Sequence, residues 1–227
     1  MSFKLFVKEL NGNRVEGELI KTMIYSLLTS FIILGILYFV SFRYINNFMT
    51  KYGLYLFLSA LSYAFILPSI RQVRAYKEFA CMSGMIIGMT IGMISGFLSG
   101  FYIGATNGMF YGSLFGISIG IILGVMNGKC CGIMGAMEGM TTGFMGGLMG
   151  AMTAVMMIND NLRLAGIIVF LISSIILTGL NYMIYRETKE NERQINEDHT
   201  FTVFASLILT SATTWLMILG PRSVLFQ

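Results

Sequence analysis

The sequence predicts an all-α, polytopic transmembrane helix bundle of about seven spans, with a glycine-zipper (GxxxG) repeat as its core. One observation is the composition: 56% of the 227 residues are hydrophobic, 11% are charged, and the mean hydropathy is +0.75. The other is a glycine at every fourth position from Gly84 to Gly132, in a glycine-rich stretch that continues to Gly150. Such a composition leaves no room for a soluble domain.

The glycine-rich stretch from residue 79 to residue 158 is suited to lipid rather than to water. In a soluble helix each interior glycine costs about 0.5–1 kcal/mol relative to alanine. In a bilayer, small residues let two helix backbones approach closely, and this contact drives association. As one helix the stretch would be about 120 Å long, against a hydrocarbon core of about 30 Å. We therefore predict three spans at Phe79–Ile103, Gly108–Met126 and Gly132–Ile158, joined by turns at 105–107 and 127–129.

The glycine period continues through both predicted turns. The stretch divides into three similar 24-residue units, which begin at Gly84, Gly108 and Gly132, and the third unit slips by one residue at Gly135. This is typical of a tandem repeat of one span and one turn. A four-residue step drifts by about 40° per repeat on an α-helix, which favours a right-handed GxxxG crossing.

The rest of the chain supplies four more predicted spans, at Thr22–Phe42, Tyr52–Ile70, Leu164–Tyr185 and Phe201–Gly220. The predicted segments are an N-terminal cytoplasmic or interfacial segment (1–21), two spans with a basic loop (22–78), the glycine-zipper core of three spans (79–158), two spans with a charged cytoplasmic loop (159–220), and the remnant of a protease site for tag removal (221–227).

Positive charge predicts the orientation. With the N-terminus inside, most lysines and arginines fall in inner segments, and the outer ones hold only Arg43, Lys51 and Arg163. We expect an integral protein of the plasma membrane, with a cytoplasmic N-terminus and an outer C-terminus. The lipid bilayer is then its first partner, and the net charge of +4 indicates this bias rather than a nucleic-acid partner.

Three cysteines fall on one predicted membrane face. Cys81 opens the third span, and Cys130 and Cys131 lie in the turn before the fifth. Because this face is predicted to be cytoplasmic and reducing, we expect free thiols and no structural disulfide. The thiols could capture a soft metal ion, or they could be small hydrophobes at helix ends.

Methionine forms two stripes at helical spacing, one in the third span and one in the fifth. The second stripe includes Glu138, an acid within an apolar span, where a carboxylate is costly and indicates ion coordination or proton relay. It could also be a protonated group bonded to Thr141, Thr142 or a backbone carbonyl. The candidate metal ligands are Cys81, Met82, Met85, Met89, Met93, Cys130, Cys131, Met134, Glu138, Met145 and Met149. The alternative is that flexible methionine fills gaps beside glycine.

The spacing of Met85, Met89 and Met93 beside GxxxG is similar to the pore and packing motifs of Ctr-type copper transporters. The resemblance covers these few positions, and those proteins have three spans and form trimers. It implies that the three thioethers are successive steps of a copper path.

Two functions follow as expectations. The first is a transporter or channel for a small ion, with Cu(I) as the best candidate, and no cofactor is certain beyond that possible Cu(I). The second is a non-transporting packing or assembly subunit whose glycine stripes dock a partner membrane protein or a second copy. No enzyme is predicted. The chain has a single histidine, His199, and nothing in the sequence fixes a cysteine beside it, so a Cys-His catalytic pair has little support.

Overall fold

A computed structural model describes residues 15–40, 52–76, 79–188 and 199–222. All regular structure in these ranges is helical, so the all-α prediction is confirmed. A 3₁₀ turn at Lys129–Cys131 joins the fourth and fifth helices. The helices are α1 (Val15–Val40), α2 (Leu54–Ala75), α3 (Cys81–Asn107), α4 (Met109–Gly128), α5 (Gly132–Met156), α6 (Leu162–Thr188) and α7 (His199–Leu219).

Six helical runs in the described ranges are long and apolar enough to cross a membrane. The run Met109–Met156 contains both α4 and α5. One predicted turn is wrong, because α3 continues through 105–107 and ends at Asn107. The turn is at the next residue, Gly108, whose φ of 107° is left-handed and favours glycine. The other lies two residues later than predicted, at Lys129–Cys131.

Helix α2 is the centre of a core built from large side chains. It packs against α1, α6, α7 and α3, and Pro68 lies within it. The predicted second span ended at Ile70, but α2 continues to Ala75 and carries Arg71 and Arg74 on the helix. The largest fully buried side chains around it are Tyr63, Tyr102, Phe101, Ile66, Ile87, Ile91, Leu98, Ile103, Leu177, Ile184 and Met217.

Helices α3, α4 and α5 form a second unit, in which the helices contact one another at glycines. The buried residues of α4 are glycines and Asn127, and those of α5 are glycines and two alanines. A Cβ built on Gly120 would lie 2.7 Å from the carbonyl oxygen of Gly143 and 3.0 Å from the Cα of Gly96. The three backbones are therefore in direct contact.

The glycine contacts repeat in five layers along this unit. Residue numbers rise together in α3 and α5 and fall in α4, so α3 and α5 are parallel and α4 is antiparallel to both. The layers are Gly88, Gly128 and Gly135; Gly92, Gly124 and Gly139; Gly96, Gly120 and Gly143; Gly100, Gly116 and Gly147; and Gly104, Gly112 and Ala151.

Candidate functional site

The predicted methionine stripes lie on the outside of the α3–α5 unit. Their exposed fractions are large for apolar side chains: 74% at Met82, 65% at Met134 and 60% at Met145. Met89, Met93 and Met149 are also exposed. Within one chain the glycines occupy the interior of the unit, and the methionines do not enclose a path.

The two stripes nevertheless border the same groove between α3 and α5. A Cβ on Gly146 would meet the backbone of Met93, and one on Gly150 would meet the backbone of Phe97. Met149 lies one helical turn after Gly146, on the same side of α5. We call this outer groove the methionine seam and define it by Met85, Met89, Met93, Glu138, Met145 and Met149.

Glu138 is half-buried on the methionine seam. Thr141 and Thr142 do not bond to its carboxylate, because their hydroxyls donate to its backbone carbonyl at 3.0 and 2.7 Å. In the described part of the chain, no residue donates a hydrogen bond to the carboxylate or forms an ion pair with it. It lies six residues into α5, about 9 Å along the helix from the turn.

The three predicted cysteine ligands do lie together, at the end of the α3–α5 unit where α3 and α5 begin. Cys81 and Cys131 form a disulfide, with Cα atoms 5.0 Å apart. The expectation of three free thiols is therefore wrong for this pair, while Cys130 is free. A Cβ on Gly84 would lie 3.0 Å from the Cys130 sulfur and 2.9 Å from Cys131 Cβ. Parallel packing of α3 and α5 causes this approach, which no spacing in the sequence reveals.

No group of three or more His, Cys, Asp or Glu side chains suited to a metal occurs among the described residues. The thioethers and Glu138 are spread along the methionine seam over several helical turns, and free Cys130 lies at the end of the α3–α5 unit. Such a set could pass a soft cation from one thioether to the next, but it needs a second surface to close it.

A charged cluster that the sequence did not predict lies where α1, α2 and α7 meet. Arg71 is 5% exposed, and its guanidinium donates to Glu18 at 2.9 Å and to Nδ1 of His199 at 2.5 Å. The His199 ring also packs on Tyr25, with centroids 4.9 Å apart. Arg71 directly follows the predicted span Tyr52–Ile70, and a basic residue in that position is typical of a cytoplasmic flank rather than of a helix interior.

The next turn of α2 extends this polar region. The Arg74 guanidinium lies 3.9 Å from the centre of the Phe201 ring, a cation–π contact with α7. The Gln72 side chain donates to the backbone carbonyl of Asn181 in α6 at 3.3 Å. The end of α2 thus bonds to three other helices through polar side chains.

The chain matches no known protein family, no curated protein and no solved structure. The fold alone defines the class: the regular structure of the described residues is helical, and six of their helical runs are long and apolar enough to cross a membrane.

Proposed function

We propose that the protein is an assembly subunit of the plasma membrane, which associates with a second copy of itself through the methionine seam. In this arrangement the run Met109–Met156 crosses twice, giving seven crossings with a cytoplasmic N-terminus. Helices α3–α5 then act as a glycine zipper within one chain. Because the glycines are buried there, the docking surface is the methionine seam and not the glycine stripe that the sequence suggested.

The observation that carries this proposal is Glu138 on the outer side of α5. A carboxylate that faces lipid is costly, and intramembrane acids nearly always face protein or a water-filled cavity. A second copy would cover the carboxylate and the exposed thioethers beside it. Methionine suits such a surface, since its flexible side chain adapts to an irregular partner.

Site-specific cross-linking tests the assembly. A Met145→Cys variant in a background with Cys81, Cys130 and Cys131 changed to serine should form a dimer in liposomes when a thiol cross-linker is added. The matched control is Ile175→Cys on α6, at a position that is 70% exposed and far from the seam in sequence. Equal cross-linking at the two positions, or none at Met145→Cys, would refute association through the seam.

A second candidate function is passage of a soft cation, with Cu(I) first, along the seam once a second copy closes it. The feature that favours it is the line of thioethers and Glu138 on one groove, with free Cys130 at the end of the same α3–α5 unit. The test is Cu(I) uptake by liposomes that contain the protein, comparing wild type with a Met85→Leu, Met89→Leu, Met93→Leu variant and with Glu138→Gln. Leucine keeps the volume and apolarity of methionine. Unchanged Cu(I) uptake by a folded triple variant would therefore exclude a path along these methionines.

A further inference from the structure

A second polar system runs along the interface of α1, α2 and α7, separate from the methionine seam. Its charged end is the cluster of Glu18, Arg71 and His199. Because a guanidinium can only donate, Nδ1 of His199 is the acceptor of the Arg71 hydrogen bond. Glu18 and His199 are thus two groups that can each take up and release a proton, held together by a fixed cation.

Buried hydroxyls continue from this cluster along both outer helices of the interface. Thr29 of α1 and Ser206 of α7 share a hydrogen bond of 2.7 Å, which shows that the two rows adjoin. The buried hydroxyl residues are Thr22, Ser26 and Ser30 on α1, and Thr202, Ser206, Thr210, Thr213 and Thr214 on α7. We call these eight residues, with Thr29, the hydroxyl column.

Ser26 and Ser30 differ from Thr22 and Thr210 in how their hydroxyls are bonded. Thr22 donates to the Glu18 carbonyl at 2.7 Å and Thr210 to the Ser206 carbonyl at 2.6 Å, as serines and threonines in helices commonly do. Ser26 and Ser30 are fully buried, yet their hydroxyls have no hydrogen-bond partner in the described ranges. A buried unsatisfied hydroxyl costs about 1–3 kcal/mol, and such groups are usually satisfied by internal water.

We propose that the hydroxyl column is a proton path, with Glu18 and His199 as its proton-exchanging end. A proton binds the Glu18 carboxylate or Nδ1 of His199, is released to water bonded to Ser26 and Ser30, and passes along the α1 and α7 hydroxyls. Each step breaks one O–H or N–H bond and forms another, so no other reactant is needed.

The groups around Glu18 and His199 are suited to proton exchange. From α1, Tyr25 packs on the His199 ring. From α2, Arg71 donates to both exchanging groups, while Arg74 is turned to the Phe201 ring. From α6, Glu187 accepts from the backbone N–H of Ala80 instead. A proton that binds His199 displaces the Arg71 hydrogen bond and is attracted by Glu18.

Proton flux into liposomes tests the proposal. The purified full chain is reconstituted with a trapped pH-sensitive dye, and a potassium gradient with valinomycin supplies the driving potential. We expect flux above protein-free liposomes, and a decrease of about tenfold in a Ser26→Ala, Ser30→Ala variant, which corresponds to a barrier higher by about 1.4 kcal/mol. Glu18→Gln should also lower the flux.

The Ser26→Ala, Ser30→Ala variant should keep the fold, because alanine fits the space of serine and removes an unsatisfied hydroxyl. A loss of flux in this variant would therefore not result from unfolding. Ser174→Ala on α6, an exposed hydroxyl bonded to the Leu171 carbonyl, is the matched control and should leave the flux unchanged. Wild-type flux no greater than that of empty liposomes would overturn the proposal. So would a folded double-serine variant with wild-type flux, which would leave the column a packing feature.

Discussion

The two halves of this molecule hold their helices together in opposite ways. Around α2 the contacts are between large side chains such as Tyr63, Ile66 and Leu177, which are almost completely buried. In the α3–α5 unit the contacts are between backbones, and the large side chains of α4 and α5 point outward. Because lipid tails are as apolar as leucine, packing rather than hydrophobicity decides both contacts.

Helix α3 belongs to both halves and shows the difference within one element. Its glycine face meets α4 and α5, and its opposite face contributes Ile91, Leu98 and Phe101 to the side-chain core. We therefore expect a larger residue on the glycine face to destabilise the fold, and a smaller residue on the opposite face to do so. The experiments below test that contrast through the free energy of unfolding, measured by denaturant or thermal titration in detergent.

The largest effect is expected from Gly147→Ala. A Cβ there would overlap the backbone of Gly116 and Ile117 in α4, and neither backbone can move without opening the unit. We expect a loss of about 3 kcal/mol or more, or a failure to fold, since overpacking usually costs about 1–3 kcal/mol even where side chains can adjust.

The matched control is Gly179→Ala in α6, where a Cβ would meet nothing within 4 Å. Alanine there should be neutral or stabilising by up to about 1 kcal/mol, because it is the better helix former. Equal stability of the Gly147→Ala and Gly179→Ala variants would contradict the close backbone contact between α4 and α5 at Gly147.

A smaller loss is expected from Leu98→Ala on the opposite face of α3. Leu98 is 2% exposed, so truncation leaves a cavity in the side-chain core. We expect about 2 kcal/mol, at the low end for such a change, because in a membrane only lost packing contributes. Leu114→Ala on α4, 57% exposed, is the control and should change little. A Leu98 variant as stable as its control would show that this face is not a packed core.

The charged cluster is a third kind of contact, and Glu18→Gln tests it with a more modest effect. The amide can still accept from Arg71, but the charge attraction is lost, so we expect a loss of about 1–2 kcal/mol. Lys21→Gln, an exposed neighbour on α1, is the control. Equal stability of the two variants would show that the ion pair contributes nothing.

The glycine period is the sequence signal that corresponds most directly to a contact in the structure, because the glycines of α3, α4 and α5 approach one another's backbones closely. Even the one-residue slip at Gly135 is used, since Gly135, Gly139 and Gly143 each take part in a layer. The period could not show which way the methionines point. A methionine stripe beside a glycine stripe faces either another helix or lipid. Which of the two it faces depends on how many helices pack around its own helix.

The charged cluster and the disulfide were missed for a different reason. Glu18, Arg71 and His199 are far apart in the chain, and each sits at the end of an apolar run, where a flanking loop is the ordinary expectation. The charged cluster therefore has no local signal in the sequence. Cys81 and Cys131 do fall on one predicted membrane face, but that face is predicted to be reducing, and this argued against the disulfide that the parallel alignment of α3 and α5 allows.

The smallest stability effect is expected from the disulfide, and it also tests the orientation of the glycine unit. A 50-residue loop in a free chain would give about 4 kcal/mol, but membrane helices stay formed on unfolding, so we expect Cys81→Ser to lose about 1 kcal/mol. Cys130→Ser is the control. If the thiols face the cytoplasm, as the positive charges predict, Cys81 and Cys131 should be reduced in protein alkylated inside cells and should oxidise after purification. A bond already formed in cells would instead place this end of α3 on the oxidising side, and the predicted orientation would then be inverted.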